Sequence, residues 1–183
     1  LGDVYKRQLN NNQSRGQWAE FQVEDLLGIM EYKEGIHYET QKIMKSGTKP
    51  DFTFYLPDNK SINMDSKFPL TIYMEIAKLT RDLEDETLDE LGRREVTELI
   101  KSKNKEFLDK AIKTKIDETA GREGYISPDE DTVDFVLMYI PLENLYHFLL
   151  TSEIGSSKTP VIEYAFSKKV ILASPQTLMA YLE

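Results

Sequence analysis

The sequence predicts an α/β fold in which a mixed β-sheet is flanked by helices. Apolar residues recur at helical spacing near the start of the chain. Polar and apolar residues then alternate in two short segments, and two later segments are almost wholly apolar. Strands that interleave with helices are typical of the α/β class. The two alternating segments flank a turn and form a hairpin, so the sheet contains antiparallel as well as parallel strands.

The first half of the chain contains one helix, one strand and the hairpin. In order, these are a helix at 14–31, a strand at 37–44, and hairpin strands at 51–56 and 61–67 around the turn 57–59. The turn has the sequence Pro-Asp-Asn, which is strong turn chemistry.

The second half begins with a long, charged helical region and then alternates strands with helices. It comprises helical residues 70–116, a strand at 132–140, helices at 142–151 and 160–167, a strand at 169–173, and a final helix that Ser174 caps and Pro175 opens. Both apolar strands are expected to be buried, the first on both faces.

Composition excludes several classes of function. The 183 residues suit one domain, and the absence of cysteine removes disulfides, thiolate zinc sites and cysteine nucleophiles. Two histidines, His37 and His147, are too few for a multi-histidine metal site. No glycine-rich phosphate loop is present, so no nucleotide cofactor is expected. No segment is apolar enough for a membrane contact. The net charge of −9 argues against a broadly basic nucleic-acid surface, although a local basic groove is compatible with it.

The chain lacks a starting methionine, and its last residues follow a helical pattern to the end. We therefore expect a fragment of a longer protein, with residues 1–13 as a disordered or non-native leader. Residues 14–183 would form one domain with a helical region at about 70–120. We expect a cytoplasmic location.

The hairpin carries the candidate chemistry. A three-residue turn places Asp51 opposite Asp65, and Lys67 shares the face of Asp65 because side chains alternate along a strand. Two facing carboxylates repel each other, and a Mg²⁺ or Mn²⁺ ion between them removes that repulsion. With a nearby lysine, such an ion can hydrolyse a phosphodiester on the solvent-facing side of the hairpin. The alternative is an ordinary solvated hairpin face without a ligand.

Several ordered blocks resemble the RmuC family of DNA recombination proteins, which is grouped with the PD-(D/E)xK nuclease superfamily. The blocks are residues 16–20 (GQWAE), 38–41 (YETQ), 49–51 (KPD), 64–70 (MDSKFPL), 134–143 (DFVLMYIPLE) and 173–178 (ASPQTL). They span nearly the whole chain in the order that the family has them. Ala19 departs from the family's glycine, and 120–125 matches its region poorly.

The resemblance implies a restriction-endonuclease-like core with a long helical insertion after the hairpin. It implies that Asp51 and Asp65 hold the metal with the carbonyl of Ser66, that Glu20 is a further acid at the site, and that Lys67 is the catalytic lysine. It also implies that a full-length relative can carry a membrane anchor and a coiled coil outside this segment.

Candidate DNA contacts are Gln41, Lys113, Lys115 and Arg122. The resemblance implies that Gln41 lies on a strand near the site and that Arg122 replaces a family lysine. The lysines of the helical region could line a DNA groove. A solvated helix face is the alternative, because acidic residues interleave with them.

Two functions remain open from the sequence. The first is a metal-dependent nuclease that hydrolyses DNA and limits rearrangement at inverted repeats, as the resemblance implies. The second is a module of the same fold that binds DNA or a protein and cuts nothing.

Overall fold

The fold is given by a computed structural model that describes residues 12–66, 68–85 and 87–183, with side chains from Gln17 onward. The helices are α1 (Asn12–Ile29), α2 (Leu70–Asp82), α3 (Glu90–Glu106), α4 (Lys113–Ala120), α5 (Glu143–Leu150), α6 (Val161–Ser167) and α7 (Pro175–Leu182). The strands are β1 (Tyr38–Thr40), β2 (Phe52–Tyr55), β3 (Ser61–Asp65), β4 (Val136–Tyr139), β5 (Glu153–Ile154), β6 (Thr159–Pro160) and β7 (Val170–Ala173). Single 3₁₀ turns lie at Pro57–Asn59 and Pro128–Glu130, and a π-helical segment, Phe107–Ile112, joins α3 to α4.

A five-stranded sheet in the order β1-β2-β3-β4-β7 forms the centre of the described chain. Strands β1, β2 and β3 are antiparallel, whereas β3, β4 and β7 are parallel. The mixed sheet flanked by helices confirms the predicted class. Strands β5 and β6 form a separate small hairpin.

Three predicted elements differ in extent from the structure. Strand β1 ends at Thr40 rather than at residue 44, because Gln41 adopts a left-handed conformation with φ 50°. The long helical region is divided by a break between α2 and α3 and by the π-helical segment. Helix α1 begins at Asn12, two residues inside the segment expected to be a leader, and residues 1–11 lie outside the described chain.

The β2–β3 hairpin has the predicted register. Phe52 pairs with Met64 and Thr53 with Asn63, and the turn occupies Pro57–Asn59. Asp58 and Asn59 are both left-handed, which short polar side chains tolerate better than others. Residues of one parity therefore share one face of the hairpin, as the alternation predicts.

The apolar face of the hairpin packs under α1. Ala19, Val23 and Leu27 recur every four residues along one side of that helix, and they join Phe54 and Met64 in one buried core. Helix α7 adds Leu178 to the same core. Ser174 caps α7 through a capping box with Thr177, so the predicted helix start is confirmed.

The polar face is also buried, which corrects the expectation of a solvated surface. Thr53 and Asn63 are 0% exposed, and Asp65 is 2% exposed. The cover comes from α4 and the segment that follows it, which lie some 50 residues further along the chain. Strand β4 is buried on both faces, as predicted. In the described chain, no helix is long and apolar enough to span a membrane.

Candidate metal and phosphodiester site

Two aspartates face each other at the open end of the hairpin. Asp65 ends β3, and Asp51 lies one residue before β2, so continuing the observed register places them opposite each other. Opposite residues in an antiparallel pair have Cβ atoms roughly 4.5–5.5 Å apart. Both side chains are buried, with Asp51 3% and Asp65 2% exposed. The unfavourable proximity of two carboxylates must therefore be offset by their surroundings.

Neutral donors orient the carboxylate of Asp51. The backbone N–H and the hydroxyl of Ser66 donate to its Oδ2 at 2.8 and 3.0 Å. The Nε2 of Gln41 donates to its Oδ1 at 3.1 Å. The left-handed conformation of Gln41 turns the chain beside the site, where its backbone N–H also donates to the Asp51 carbonyl. These contacts hold the Asp51 carboxylate in a defined orientation.

The carboxylate of Asp65 forms an ion pair with a lysine side chain. The Nζ of Lys115 is 2.7 Å from Oδ2 of Asp65, with side chains only 10% and 3% exposed. The hydroxyl of Thr119 donates to the same oxygen at 3.4 Å. Lys115 and Thr119 are four residues apart, so they share one side of α4. Lys115 thus offsets one of the two negative charges at the site.

A buried hydrogen-bond network lies near the two acids. Thr53 donates through its hydroxyl to Oδ1 of Asn63 at 2.6 Å, and Asn63 donates through Nδ2 to the carbonyl of Tyr125 at 3.0 Å. The Tyr125 hydroxyl donates to the carbonyl of Lys49 at 3.0 Å. Burial raises the pKa of Tyr125, and the negative charges of Asp65 and Asp51 raise it further. The phenol therefore stays protonated beside both acids.

The donor set fits a hard divalent ion in type. Mg²⁺ prefers oxygen ligands and keeps several waters, so one or two carboxylates suffice to bind it. Asp51 and Asp65 are the described residues that could hold it. Among the described residues, no group of three or more acidic, histidine or cysteine side chains is arranged to hold a metal.

The remaining predicted site residues lie in different parts of the described chain or outside it. Ser66 lies at the site, whereas Lys67 lies outside the described residues. Glu20 is partly buried on α1, the helix that covers the opposite, apolar face of the hairpin. Lys113 and Arg122 are exposed. Arg122 is close enough to Tyr125 for its charge to lower the pKa of that phenol.

Sequence reasoning missed Thr119 and Tyr125 and the burial of Lys115. The alternative of a solvated helix face does not hold for Lys115, because it is 8% exposed and contacts Asp65. Its contact with DNA stays a prediction. Its spacing carried the information: Ile112, Lys115, Ile116 and Thr119 repeat at three and four residues. A lysine inside such a stripe points toward the core, even in a charged helix.

Comparisons with known proteins agree with the sequence blocks. The sequence profile of the RmuC family matches residues 5–183. The DNA recombination protein RmuC homolog of Pasteurella multocida is 32% identical over 176 residues, covering 91% of this chain and 30% of the relative. The RmuC homolog of Chlamydia trachomatis is 30% identical over 172 residues, covering 93% of this chain and 34% of the relative. No solved structure matches.

The chain spans about a third of the length of the curated relatives that it matches. The match of the family profile nevertheless covers the described sheet, the hairpin and every described site residue. The chain therefore belongs to the RmuC family.

Proposed function

We propose that this chain is a restriction-endonuclease-like segment of a DNA recombination protein that hydrolyses DNA phosphodiesters with Mg²⁺ or Mn²⁺. The observation that carries the proposal is the hairpin register, which sets Asp51 opposite Asp65 in a buried polar site. Two carboxylates on opposite strands can hold one divalent ion between them, because Mg²⁺ binds through one or two carboxylates and keeps several waters. This arrangement of Asp51 and Asp65 supports a cation-binding role.

The residues divide the work between them. Asp51 and Asp65 would hold the ion, with Gln41 and Ser66 keeping the Asp51 carboxylate in orientation. When bound, the ion supplies charge neutralisation and a more acidic water. Lys67 is proposed as the catalytic lysine and Glu20 as a further acid, on the strength of the family pattern alone. Neutral Tyr125 adds no negative charge beside the phosphate.

DNA as the substrate follows from the relatives. Those proteins are named for DNA recombination, and this chain spans about a third of their length. A role in limiting rearrangement at inverted repeats is part of the proposal on the strength of the family resemblance alone. With a net charge of −9, contact with DNA must be local. Gln41, exposed beside Asp51, and the exposed Arg122 are the candidate contacts.

The test is incubation of the purified chain with linear and branched DNA in Mg²⁺ or Mn²⁺. We expect cleavage that Asp65→Asn and Lys67→Ala each abolish. Asp58→Asn is the matched control, because Asp58 lies in the turn of the same hairpin and is exposed. Absence of cleavage, or equal cleavage by wild type and Asp65→Asn, would overturn hydrolysis at this site.

A second candidate is a module that binds DNA and cuts nothing. The ion pair between Lys115 and Asp65 favours it, since a protein cation already compensates that carboxylate. Calorimetry separates the candidates. Mn²⁺ binding that Asp51→Asn removes supports the enzyme, whereas salt-dependent DNA binding without Mn²⁺ binding supports the module.

A further inference from the structure

Two lysines on α4 occupy opposite environments although only two residues separate them. Lys113 is exposed, and its Nζ lies 5.8 Å from the centre of the Tyr164 ring on the outer surface. Lys115 is 8% exposed and contacts Asp65. Residues two apart in a helix do not share a face. Of these two lysines, only Lys115 has its ammonium group buried against a carboxylate.

A π-helical segment, Phe107–Ile112, lies directly before α4. Phe107 and Ile112, five residues apart, are both 0% exposed, because i→i+5 hydrogen bonding stacks residues five apart. From Ile112 the helix continues in ordinary α geometry, so Lys115 and Ile116 follow on the buried side. Phe107 and Lys115 are thus both buried on one continuous helical region that contains the π-helical segment.

Burial makes the ammonium group of Lys115 dependent on Asp65. A buried ion pair is favourable only when its geometry is good, and the contact at 2.7 Å with Thr119 beside it satisfies that condition. Asp51 accepts hydrogen bonds from Gln41 and Ser66. The described contacts of the site thus include a lysine cation at Asp65 and amide and hydroxyl donors at Asp51.

We infer that Lys115 is a positioning residue that acts as a tethered counter-ion of Asp65 and competes with the divalent cation for that carboxylate. The inference rests on the proposed metal site and adds its regulation. With the site empty of metal, Lys115 neutralises Asp65 and keeps it oriented. A divalent ion then meets the repulsion of a nearby ammonium group, so the affinity of the site for the ion is lower than its carboxylates alone would provide.

The test measures Mn²⁺ binding by calorimetry on the full chain without DNA, so that catalysis plays no part. We expect Lys115→Gln, which keeps a donor to Asp65 but removes the charge, to bind Mn²⁺ roughly tenfold more tightly than wild type. Lys115→Met should show the same direction. Lys113→Gln is the matched control and should bind as wild type does. A merely structural role for Lys115 would weaken Mn²⁺ binding in its variants.

Thermal unfolding provides the second measurement, in case Lys115→Met folds poorly. Its melting temperature should fall without metal and rise more with Mn²⁺ than that of wild type, because the folded state alone binds the ion. If wild type binds Mn²⁺ and Lys115→Gln binds it equally or more weakly, Lys115 does not compete with the ion. That result would overturn this inference and would still support the proposed metal site. Absence of Mn²⁺ binding in wild type and in both variants would overturn both proposals.

Discussion

The two faces of the β2–β3 hairpin are both buried, but one is apolar and the other is polar. On one face, Phe54 and Met64 are 0% exposed in an apolar core beneath α1. On the other, Thr53 and Asn63 are 0% exposed and hydrogen-bonded to each other, and Asp65 on the same face forms a buried ion pair with Lys115. Strand alternation creates both faces from the same few residues.

The two faces differ in what holds them together. Each large apolar side chain contributes about 1.5–3 kcal/mol by leaving water, with little demand on direction. A buried polar group must instead find a hydrogen-bond partner. Among the described residues, every buried side-chain nitrogen and oxygen atom has such a partner. Replacing a buried ion pair with apolar residues is often neutral or stabilising. Stability alone therefore does not account for the polar face, which supports the proposed ligand site.

The largest expected effect comes from breaking the ion pair on one side. Lys115→Met should lower the free energy of unfolding by about 3–5 kcal/mol, because it removes one partner of a buried ion pair and leaves the Asp65 carboxylate in place. Adding Asp65→Leu should restore most of that loss. Chemical denaturation of the two single variants and the double variant measures this cycle.

Phe54→Ala on the apolar face is the counterpart, with an expected loss of about 3–5 kcal/mol from the cavity it creates. Combined with Asp65→Leu, it should show no recovery. If the losses in free energy of unfolding from Lys115→Met and Asp65→Leu are additive, the polar face does not depend on paired charges more than the apolar face does.

Substitution of Asn63 tests the buried hydrogen-bond network of the polar face. Asn63→Ala should cost about 1–3 kcal/mol, because it leaves the Thr53 hydroxyl and the Tyr125 carbonyl without their described partner. Ile62→Val, one residue earlier and on the apolar face, should cost about 0.5–1.5 kcal/mol. A loss at Asn63 no greater than the loss at Ile62 would contradict a demanding polar face.

The cap of α7 tests how firmly the apolar face is covered. Ser174→Ala removes the side-chain acceptor of the Thr177 N–H, and the expected loss is about 1 kcal/mol. Ser174→Asp, which keeps an acceptor, should retain most of the stability. Thermal unfolding of both variants decides the matter, and equal melting temperatures would contradict the capping contribution.

Tyr125 provides the smallest effect and a dependence on pH. Its folded pKa is raised above the ordinary value of about 10, so the unfolded state releases the proton first. The contribution of Tyr125 to stability is therefore present below pH 10 and is lost as pH rises above that value. Tyr125→Phe should cost about 0.5–1 kcal/mol at pH 7, for the lost contact with Lys49. Its difference from wild type should narrow above pH 10 in denaturation series, and a constant difference would contradict this account.

Several parts of the fold were predictable because they depend on nearby residues. The hairpin register follows from alternation around a three-residue turn, and the start of α7 follows from the serine–proline pair. The early end of β1 was not predictable, since nothing in the residue type of Gln41 demands its left-handed backbone. The break between α2 and α3 was also missed.

The amino-acid sequence alone determined the class of fold, the family and the facing positions of Asp51 and Asp65. The class of fold rests on periodicity, the family on ordered sequence blocks, and the facing aspartates on the pairing of residues fourteen positions apart. Tertiary structure alone decided that the polar face is buried and that Lys115, 50 residues from Asp65, is its cation. The physical reason is that alternation specifies which residues share a face, whereas the element that covers that face depends on how distant helices pack.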